Sequence, residues 1–234
     1  MPRVTRKVTA ARAPLPDRVR GTLAELERRG KPSVVAGMAR YGIVAKKAYG
    51  VQVGACRKLA KEIGRDHELA VALWDTGWYE ARLMTAFLGD LAEVTVKEAD
   101  HWARTCENWA DCDTICFALL DRSRHALALI TKWSKAKGEF HKRCAFALLA
   151  SAALHDKGSP DAPYAKTLAL IAREAHDERN FVKKGIVWAL RGVAGRSPAL
   201  KKQAIALATR LSKSADSTER WVGLTTLREL KKSR

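Results

Sequence analysis

A tryptophan and an aspartate lie four residues apart near the middle of the chain, at Trp109 and Asp113 in the stretch ENWADCDTICFALL. On a helix, residues at this spacing share one face and lie one turn apart. A carboxylate held beside a flat apolar surface can stabilise the positive charge that develops on a sugar as a glycosidic bond breaks. A second interpretation is that Asp111 and Asp113 are early-helix acids that cap the helix or favour its N-terminal dipole. The spacing alone leaves both interpretations open.

The charge of the chain indicates what kind of partner it binds. Its 234 residues include 43 Lys and Arg against 25 Asp and Glu, a net charge of +18. Such an excess attracts polyanions, of which nucleic acid is the commonest. Surrounding Lys and Arg also favour the ionised form of a nearby carboxylate. The composition therefore predicts a nucleic-acid-binding protein.

Five cysteines are present, an odd number with no CxxC pair: Cys56, Cys106, Cys112, Cys116 and Cys144. Two of them, Cys112 and Cys116, lie one helical turn apart, where the side chains diverge too much for an easy disulfide. The spacing also does not match a four-ligand zinc site. We therefore expect buried free thiols in a reducing compartment, with no metal site.

The N-terminal stretch MPRVTRKVTAARAPLP is basic but lacks the apolar core of a secretory signal. No stretch approaches the ~18 uninterrupted apolar residues that would span a bilayer. We therefore expect a soluble cytoplasmic protein without a membrane partner, associated with the nucleoid if it is bacterial.

Apolar residues recur with helical periodicity along nearly the whole chain, and strand patterns are almost missing. Short breaks such as GKP, DKGSP and GRSP separate the segments. The pattern predicts an all-α protein, with residues 1–14 as a basic flexible tail and residues 15–234 as one domain. The predicted helical segments are approximately 16–29, 32–41, 52–63, 66–75, 79–88, 96–107, 110–121, 137–154, 163–174, 178–192, 197–212 and 217–231.

A weak internal repeat refines this prediction. The stretch FHKRCAFAL at 140–148 aligns with FVKKGIVWA at 181–189, and RWVGLTTLR at 220–228 echoes the latter. Repeats of about 40 residues with two helices each are typical of HEAT and armadillo arrays. The predicted fold is thus an α-α superhelix whose helix starts place basic residues along a concave groove.

Several separate stretches resemble the AlkD-like DNA alkylation-repair glycosylases, a family built from HEAT-like repeats. The resemblance covers residues from about 34 to 231. It is carried by Met38-Ala39-Arg40-Tyr41 with Tyr49-Gly50-Val51, Leu73-Trp74-Asp75 with Glu80-Ala81-Arg82, Asn108-Trp109 through Asp113, Lys142-Arg143, and Phe181-Val182-Lys183-Lys184 with Trp188-Ala189-Leu190-Arg191.

This resemblance implies an enzyme that hydrolyses the N-glycosidic bond of positively charged N3- and N7-alkylpurines in duplex DNA, acting as a monomer without a cofactor. Asp113 would be the catalytic carboxylate, and Trp109 and Trp188 would pack against the deoxyribose. The implied DNA-contacting residues are Tyr41, Lys142, Arg143, Lys183, Lys184 and Arg191. The resemblance also implies that the damaged base stays in the duplex, and that Asn108 replaces a second aromatic residue found in some relatives.

Two other functions remain open at this point. A HEAT-like protein of this charge could bind damaged, bent or branched DNA without catalysing a reaction. A solenoid that binds another protein is the third possibility, although a strong cationic surplus suits phosphates better.

Overall fold

Helices account for all regular secondary structure in the part of the chain that the structure describes. The structure, a computed structural model, describes residues 12–232. These residues form 13 α-helices and two short 3₁₀ turns, at Ala39–Tyr41 and Leu120–Arg122, with no strand. The helices are α1 (Leu15–Arg29), α2 (Pro32–Met38), α3 (Val53–Ile63), α4 (His67–Asp75), α5 (Tyr79–Leu88), α6 (Val96–Thr105), α7 (Trp109–Ala118), α8 (Ala126–Trp133), α9 (Glu139–His155), α10 (Asp161–Glu174), α11 (Asn180–Ala194), α12 (Pro198–Leu211) and α13 (Ser217–Lys232).

The prediction of an all-α protein is confirmed, and one helix was missed. The predicted segments contain no counterpart of α8, which is only eight residues long. No side chain caps this helix, because His125 precedes it without an N-cap hydrogen bond. It therefore lacks the usual signal of a helix start.

The helices pack in pairs that form two layers. Helices α3, α5, α7, α9, α11 and α13 contact one another in that order and form what we call the inner layer. Helices α4, α8, α10 and α12 each pack on the inner-layer helix that follows them. Contacts between neighbours are more extensive in the inner layer, as expected for the concave side of a curved stack of helix pairs.

The repeat seen in the sequence corresponds to the inner layer. Helices α9, α11 and α13 begin at Glu139, Asn180 and Ser217, so the starts are 41 and then 37 residues apart. The middle of this series is the most deeply enclosed part of the protein, since nearly every residue of α9 from Lys142 to Ala153 is buried. The site-bearing helices α7 and α11 pack on the two sides of α9.

The predicted division into a tail and one domain stays a prediction. Helix α1 begins at Leu15, where the predicted domain begins. Most of the predicted tail lies outside the described residues; within it, Arg12 contacts the carboxylate of Asp66 at 3.3 Å. Among residues 12–232, no helix is both long enough and apolar enough to cross a membrane.

Candidate catalytic centre and nucleic-acid interface

The start of α7 is set by Asn108, which is the N-cap of this helix. Its side-chain Oδ1 accepts hydrogen bonds from the backbone N–H groups of Ala110 (2.9 Å) and Asp111 (3.1 Å). Asn is among the preferred N-cap residues because its side chain satisfies donors that the helix leaves free. Neither Asp111 nor Asp113 caps the helix. The N-cap part of that interpretation is therefore wrong, whereas Asp111 does lie in the first turn as an early-helix acid. The position that we read as a missing aromatic residue has the capping role.

Asp111 lies behind the helix start, with its side chain almost fully buried. Its Oδ2 accepts from the backbone N–H of Glu107 and from the side-chain amide of Asn108, both at 3.2 Å, and lies 3.4 Å from Arg82 Nη1. Its Oδ1 is buried with no hydrogen-bond partner. Burial is the largest influence and raises the pKa of Asp111 to about 6, against the opposing effects of its hydrogen bond to Glu107 and of Arg82.

Asp113 is held by a two-point ion pair with Arg143 of α9. Arg143 Nε donates to Asp113 Oδ1 at 2.9 Å, and Nη2 donates to Oδ2 at 2.8 Å. The third guanidinium nitrogen donates to the backbone carbonyl of Phe181 on α11 at 2.8 Å. Gly185 of α11 lies beside the guanidinium stem, and a Cβ there would come within 3.7 Å of Arg143 Cγ. The carboxylate is therefore fixed in position by contacts that join three inner-layer helices.

The exposure of this pair is unequal. The side chain of Asp113 is 20% exposed, whereas that of Arg143 is 8% exposed. Burial raises the pKa of Asp113 above its ordinary value, and the charge and hydrogen bonds of Arg143 oppose that rise. A fixed guanidinium beside a carboxylate favours the anion, because the charged form gains the attraction. The acid is thus the more accessible member of a rigid ion pair.

Trp109, one turn before Asp113, is tied to the N-terminal part of the protein. Its indole N–H donates to the backbone carbonyl of Tyr41 at 2.8 Å. Gly42 follows with φ +68°, and a Cβ at this residue would come within 3.3 Å of the ring of Phe181. The 3₁₀ turn that ends at Tyr41 therefore passes from α7 towards α11, close to the Asp113–Arg143 pair. The side chain of Tyr41 is 71% exposed and free to meet a ligand.

Trp188 contacts the same face of α7 at Phe117, a residue that the sequence analysis did not identify. Phe117 lies one turn after Asp113, and its ring is nearly parallel to that of Trp188, with centroids 6.5 Å apart. The face of α7 thus carries Trp109, Asp113 and Phe117 in a column, with Trp188 of α11 beside the last. The four-residue spacing from Asp113 to Phe117 was a signal that could have identified this phenylalanine.

The predicted DNA-contacting cations fall into two groups. Lys142 is buried, with its ammonium 2.7 Å from Glu174 and 2.8 Å from Asp177. Lys142 and Arg143 therefore do not lie in an exposed row of basic residues at the helix starts, because each is enclosed with acidic partners. The DNA contacts predicted for these two residues stay predictions.

The remaining cations lie on the accessible side of α11. Lys184 is exposed, with its ammonium 5.9 Å from the ring centroid of Phe181. Lys183 lies over the ring of Trp221 at 5.1 Å, and Arg191 forms an ion pair with Glu229 while staying 39% exposed. Each contacts a neighbouring side chain, and the DNA contacts predicted for these three residues stay predictions.

All five cysteines are free and buried, as expected from their spacing. Three of them, Cys106, Cys112 and Cys144, have sulfur atoms within 4.8 Å of one another behind the site. Burial raises the pKa of each thiol well above its usual range, which favours the neutral forms. Two of the sulfur atoms lie near backbone carbonyl oxygens: Cys106 Sγ is 3.3 Å from the carbonyl of Trp102, and Cys112 Sγ is 3.2 Å from that of Asn108. A zinc ion would need a fourth ligand, which this cluster does not supply among the described residues.

The paired helices and the ordered inner layer define a HEAT-like repeat protein. The sequence matches the model of a family described as "DNA alkylation repair enzyme" over residues 22–229. The chain belongs to this family. One solved structure with the same fold is described as "a new family of proteins related to the HEAT-like repeat DNA glycosylases with affinity for branched DNA structures". It is 20% identical, with a TM-score of 0.77 over 92% of this chain and 95% of that chain. No curated protein matches the sequence.

Proposed function

We propose that this protein is a DNA glycosylase that releases N3- and N7-alkylated purines from duplex DNA by hydrolysis. The observation that carries the proposal is the geometry of Asp113, an accessible carboxylate oriented by Arg143 and lying in a column with Trp109 and Phe117. Membership of the DNA alkylation repair enzyme family supports the same reaction class.

The proposed reaction uses the carboxylate as a fixed negative charge. As the bond between C1′ and the purine nitrogen breaks, its electron pair goes to the base and positive charge develops on the deoxyribose. The Asp113 carboxylate stabilises that charge because its position is set before the reaction begins. A water molecule then bonds to C1′ and loses a proton to solvent. The alkylated base already carries a positive charge, so it leaves readily and a modest catalyst suffices.

The aromatic groups stabilise the same charge from the side. Trp109 and Trp188 lie on the two sides of Asp113 along the groove, Trp188 through its contact with Phe117. The negative face of an indole attracts a cationic centre. In the proposal these rings pack on the deoxyribose of a nucleotide that stays in the duplex.

Affinity for DNA comes from cations along the inner layer. Lys183, Lys184 and Arg191 on α11 are placed to contact phosphates, and Tyr41 approaches the duplex beside Trp109. Phosphate contacts position the protein without reading the sequence, so we expect little sequence preference. Arg143 serves mainly to orient Asp113, and Lys142 serves mainly to neutralise Glu174 and Asp177. The protein acts as a monomer in this proposal.

A specific observation supports a second candidate function, binding of bent or branched DNA without catalysis. Both oxygens of Asp113 already accept hydrogen bonds from Arg143. The guanidinium therefore neutralises part of the negative charge of the carboxylate before a substrate binds. A solved structure of the same fold is described as having affinity for branched DNA.

Base release from methylated duplex DNA separates the two candidates. Under single-turnover conditions at low salt, the glycosylase proposal predicts release of 7-methylguanine well above the spontaneous rate. The binding proposal predicts that the same protein retains the DNA but releases no base. Binding and release should be measured on one preparation, so that an inactive sample is recognised by its failure to bind.

A further inference from the structure

A cavity opens on the inner layer, beyond the column of α7. It has a volume of about 720 Å³. Helices α3, α5, α7 and α9 and the turn at Leu120–Arg122 all contribute to its lining. The polar and aromatic lining residues are Arg57, Lys61, Arg65, Phe87, Phe117, Arg122 and His155.

The lining of this cavity is cationic and aromatic. No carboxylate is among the described residues that line it, although the buried Asp121 lies directly behind Arg122, with its Oδ1 3.5 Å from Arg122 Nε. Phe87 carries the guanidinium of Arg57 over its ring at 5.1 Å. Phe117, which is 37% exposed, meets the ring of His155 edge-on with centroids 4.6 Å apart. Aromatic faces beside cations are the groups that hold unstacked bases and their phosphates.

His155 is held in place by a buried acid. Its Nδ1 bonds to Asp121, whose side chain has no exposed surface, so the ring is fixed at the end of α9. Because the two ring nitrogens lie on different edges of the imidazole, Nε2 is left as the polar atom available to a ligand.

We infer that this cavity binds one unpaired nucleotide of DNA, with the base against Phe117 and the phosphate between Lys61, Arg122 and His155. The inference rests on the proposed function, because it takes the inner layer as the DNA surface, and it deepens that function by naming the substrate class. Phe117 belongs both to this cavity and to the column that holds Asp113. An unpaired nucleotide in the cavity therefore lies one helical turn from the proposed reaction centre. Among damaged duplexes, the preferred substrate is one with an extrahelical or single-stranded nucleotide next to the lesion.

The test compares two DNAs of equal length, one fully paired and one with a single-nucleotide bulge. Affinity is measured by fluorescence anisotropy at one salt concentration. Wild-type protein is expected to bind the bulged duplex about tenfold more tightly, since one base–aromatic contact is lost in the paired duplex. Phe117→Leu, which keeps an apolar side chain but removes the aromatic face, should reduce the preference to about twofold.

Lys58 offers a matched control for the cationic part of the site. Lys58 and Lys61 are both exposed on α3, but only Lys61 lines the cavity. Lys61→Gln should lower the preference for the bulged duplex severalfold, whereas Lys58→Gln should leave the ratio of the two affinities unchanged. Equal affinity of the wild-type protein for both DNAs would overturn the inference, as would an unchanged ratio in Phe117→Leu.

Base release by the same preparations distinguishes this inference from the proposed function. A protein that prefers the bulged duplex but releases no alkylated base supports the cavity and contradicts the glycosylase proposal. A protein that releases the base but shows no preference contradicts the cavity alone. Failure to bind either DNA contradicts both.

Discussion

Asp113 and Arg143 meet across the contact between α7 and α9, with both carboxylate oxygens held by the guanidinium at 2.9 and 2.8 Å. The residues are 30 positions apart in sequence and join two successive repeats of the inner layer. Their ion pair therefore links the packing of the solenoid to the position of its proposed catalytic group.

The first prediction concerns stability. Asp113→Ala leaves the guanidinium of Arg143 buried without its partner, and Arg143→Ala leaves the carboxylate unpaired. Each single change should lower the free energy of unfolding by about 3–5 kcal/mol. The double variant should lose less than the sum of the two by at least about 1 kcal/mol, because it leaves neither charge unpaired. Urea unfolding of the four proteins measures this coupling; strictly additive losses would show that the pair contributes nothing as a pair.

A pH dependence follows from Asp111. Its pKa of about 6 in the folded protein lies above the ordinary value of 3.8, so the folded state binds a proton more readily than the unfolded state. The contribution of Asp111 to stability is therefore fully present below about pH 4 and is lost as the pH rises through 6. The Asp111→Asn variant does not have this loss. Its stability relative to wild type should therefore rise by about 2 kcal/mol between pH 4 and pH 7. Urea unfolding at the two pH values measures the shift, and a pH-independent difference would contradict the assignment.

Two lysines that look alike in the sequence should behave in opposite ways. Lys142→Met leaves Glu174 and Asp177 without their shared cation and should destabilise the fold by about 3 kcal/mol, with DNA affinity little changed in the folded protein. Lys184→Gln should leave unfolding unchanged within about 0.5 kcal/mol and weaken DNA binding. Unfolding curves and anisotropy titrations of both variants decide between these roles. If folded Lys142→Met binds DNA more weakly than wild type, the result would support the original prediction that Lys142 contacts DNA.

The acids around Lys142 support this assignment. Burial alone would raise the pKa of Asp177, but hydrogen bonds from Arg179 and Lys142 outweigh it and hold the pKa well below its usual range. Glu174 is shifted in the same direction, with burial again opposed by Lys142 and Arg173. Both acids are therefore held as anions, and Lys142 is the cation that they share.

Salt should weaken DNA binding steeply. Contacts to three phosphates, from Lys183, Lys184 and Arg191, release about three counterions from duplex DNA. Raising the salt concentration from 50 to 200 mM should then lower the affinity roughly 40-fold. In Lys184→Gln, the slope of log affinity against log salt concentration should be smaller in magnitude by about one. An affinity that hardly changes over this range would instead favour a solenoid that binds protein.

The sequence was informative about the fold because the repeat is periodic. Starts 41 and 37 residues apart, apolar residues at helical spacing and short polar breaks together predict stacked helix pairs. Helix α8 escaped prediction because it is short and has neither a capping side chain nor the N-terminal proline that marks the start of α2. Local sequence signals identify helices whose ends are marked by capping residues. A helix without such signals is stabilised by its packing on the rest of the protein, which the local sequence does not show.

The candidate site was only partly predictable, because burial depends on distant partners. Lys142 and Arg143 are adjacent basic residues, and the sequence did not show that their partners would be Glu174, Asp177 and Asp113. Asn108 illustrates the opposite case, since an Asn before a helical segment is an ordinary capping signal that we had assigned to a different role. Phe117 could have been identified as a site residue from its four-residue spacing from Asp113 alone.

The central claim is that the carboxylate of Asp113 accelerates the breaking of the glycosidic bond. Its most direct test is the single-turnover rate of 7-methylguanine release by wild type, Asp113→Asn and Asp111→Asn, with folding of each protein checked by urea unfolding. Asp111 is the matched control, a buried carboxylate two residues away that does not reach the groove. The account predicts a loss of about 100-fold or more for Asp113→Asn, with the rate of Asp111→Asn within about threefold of wild type. Equal rates for wild type and folded Asp113→Asn would contradict it.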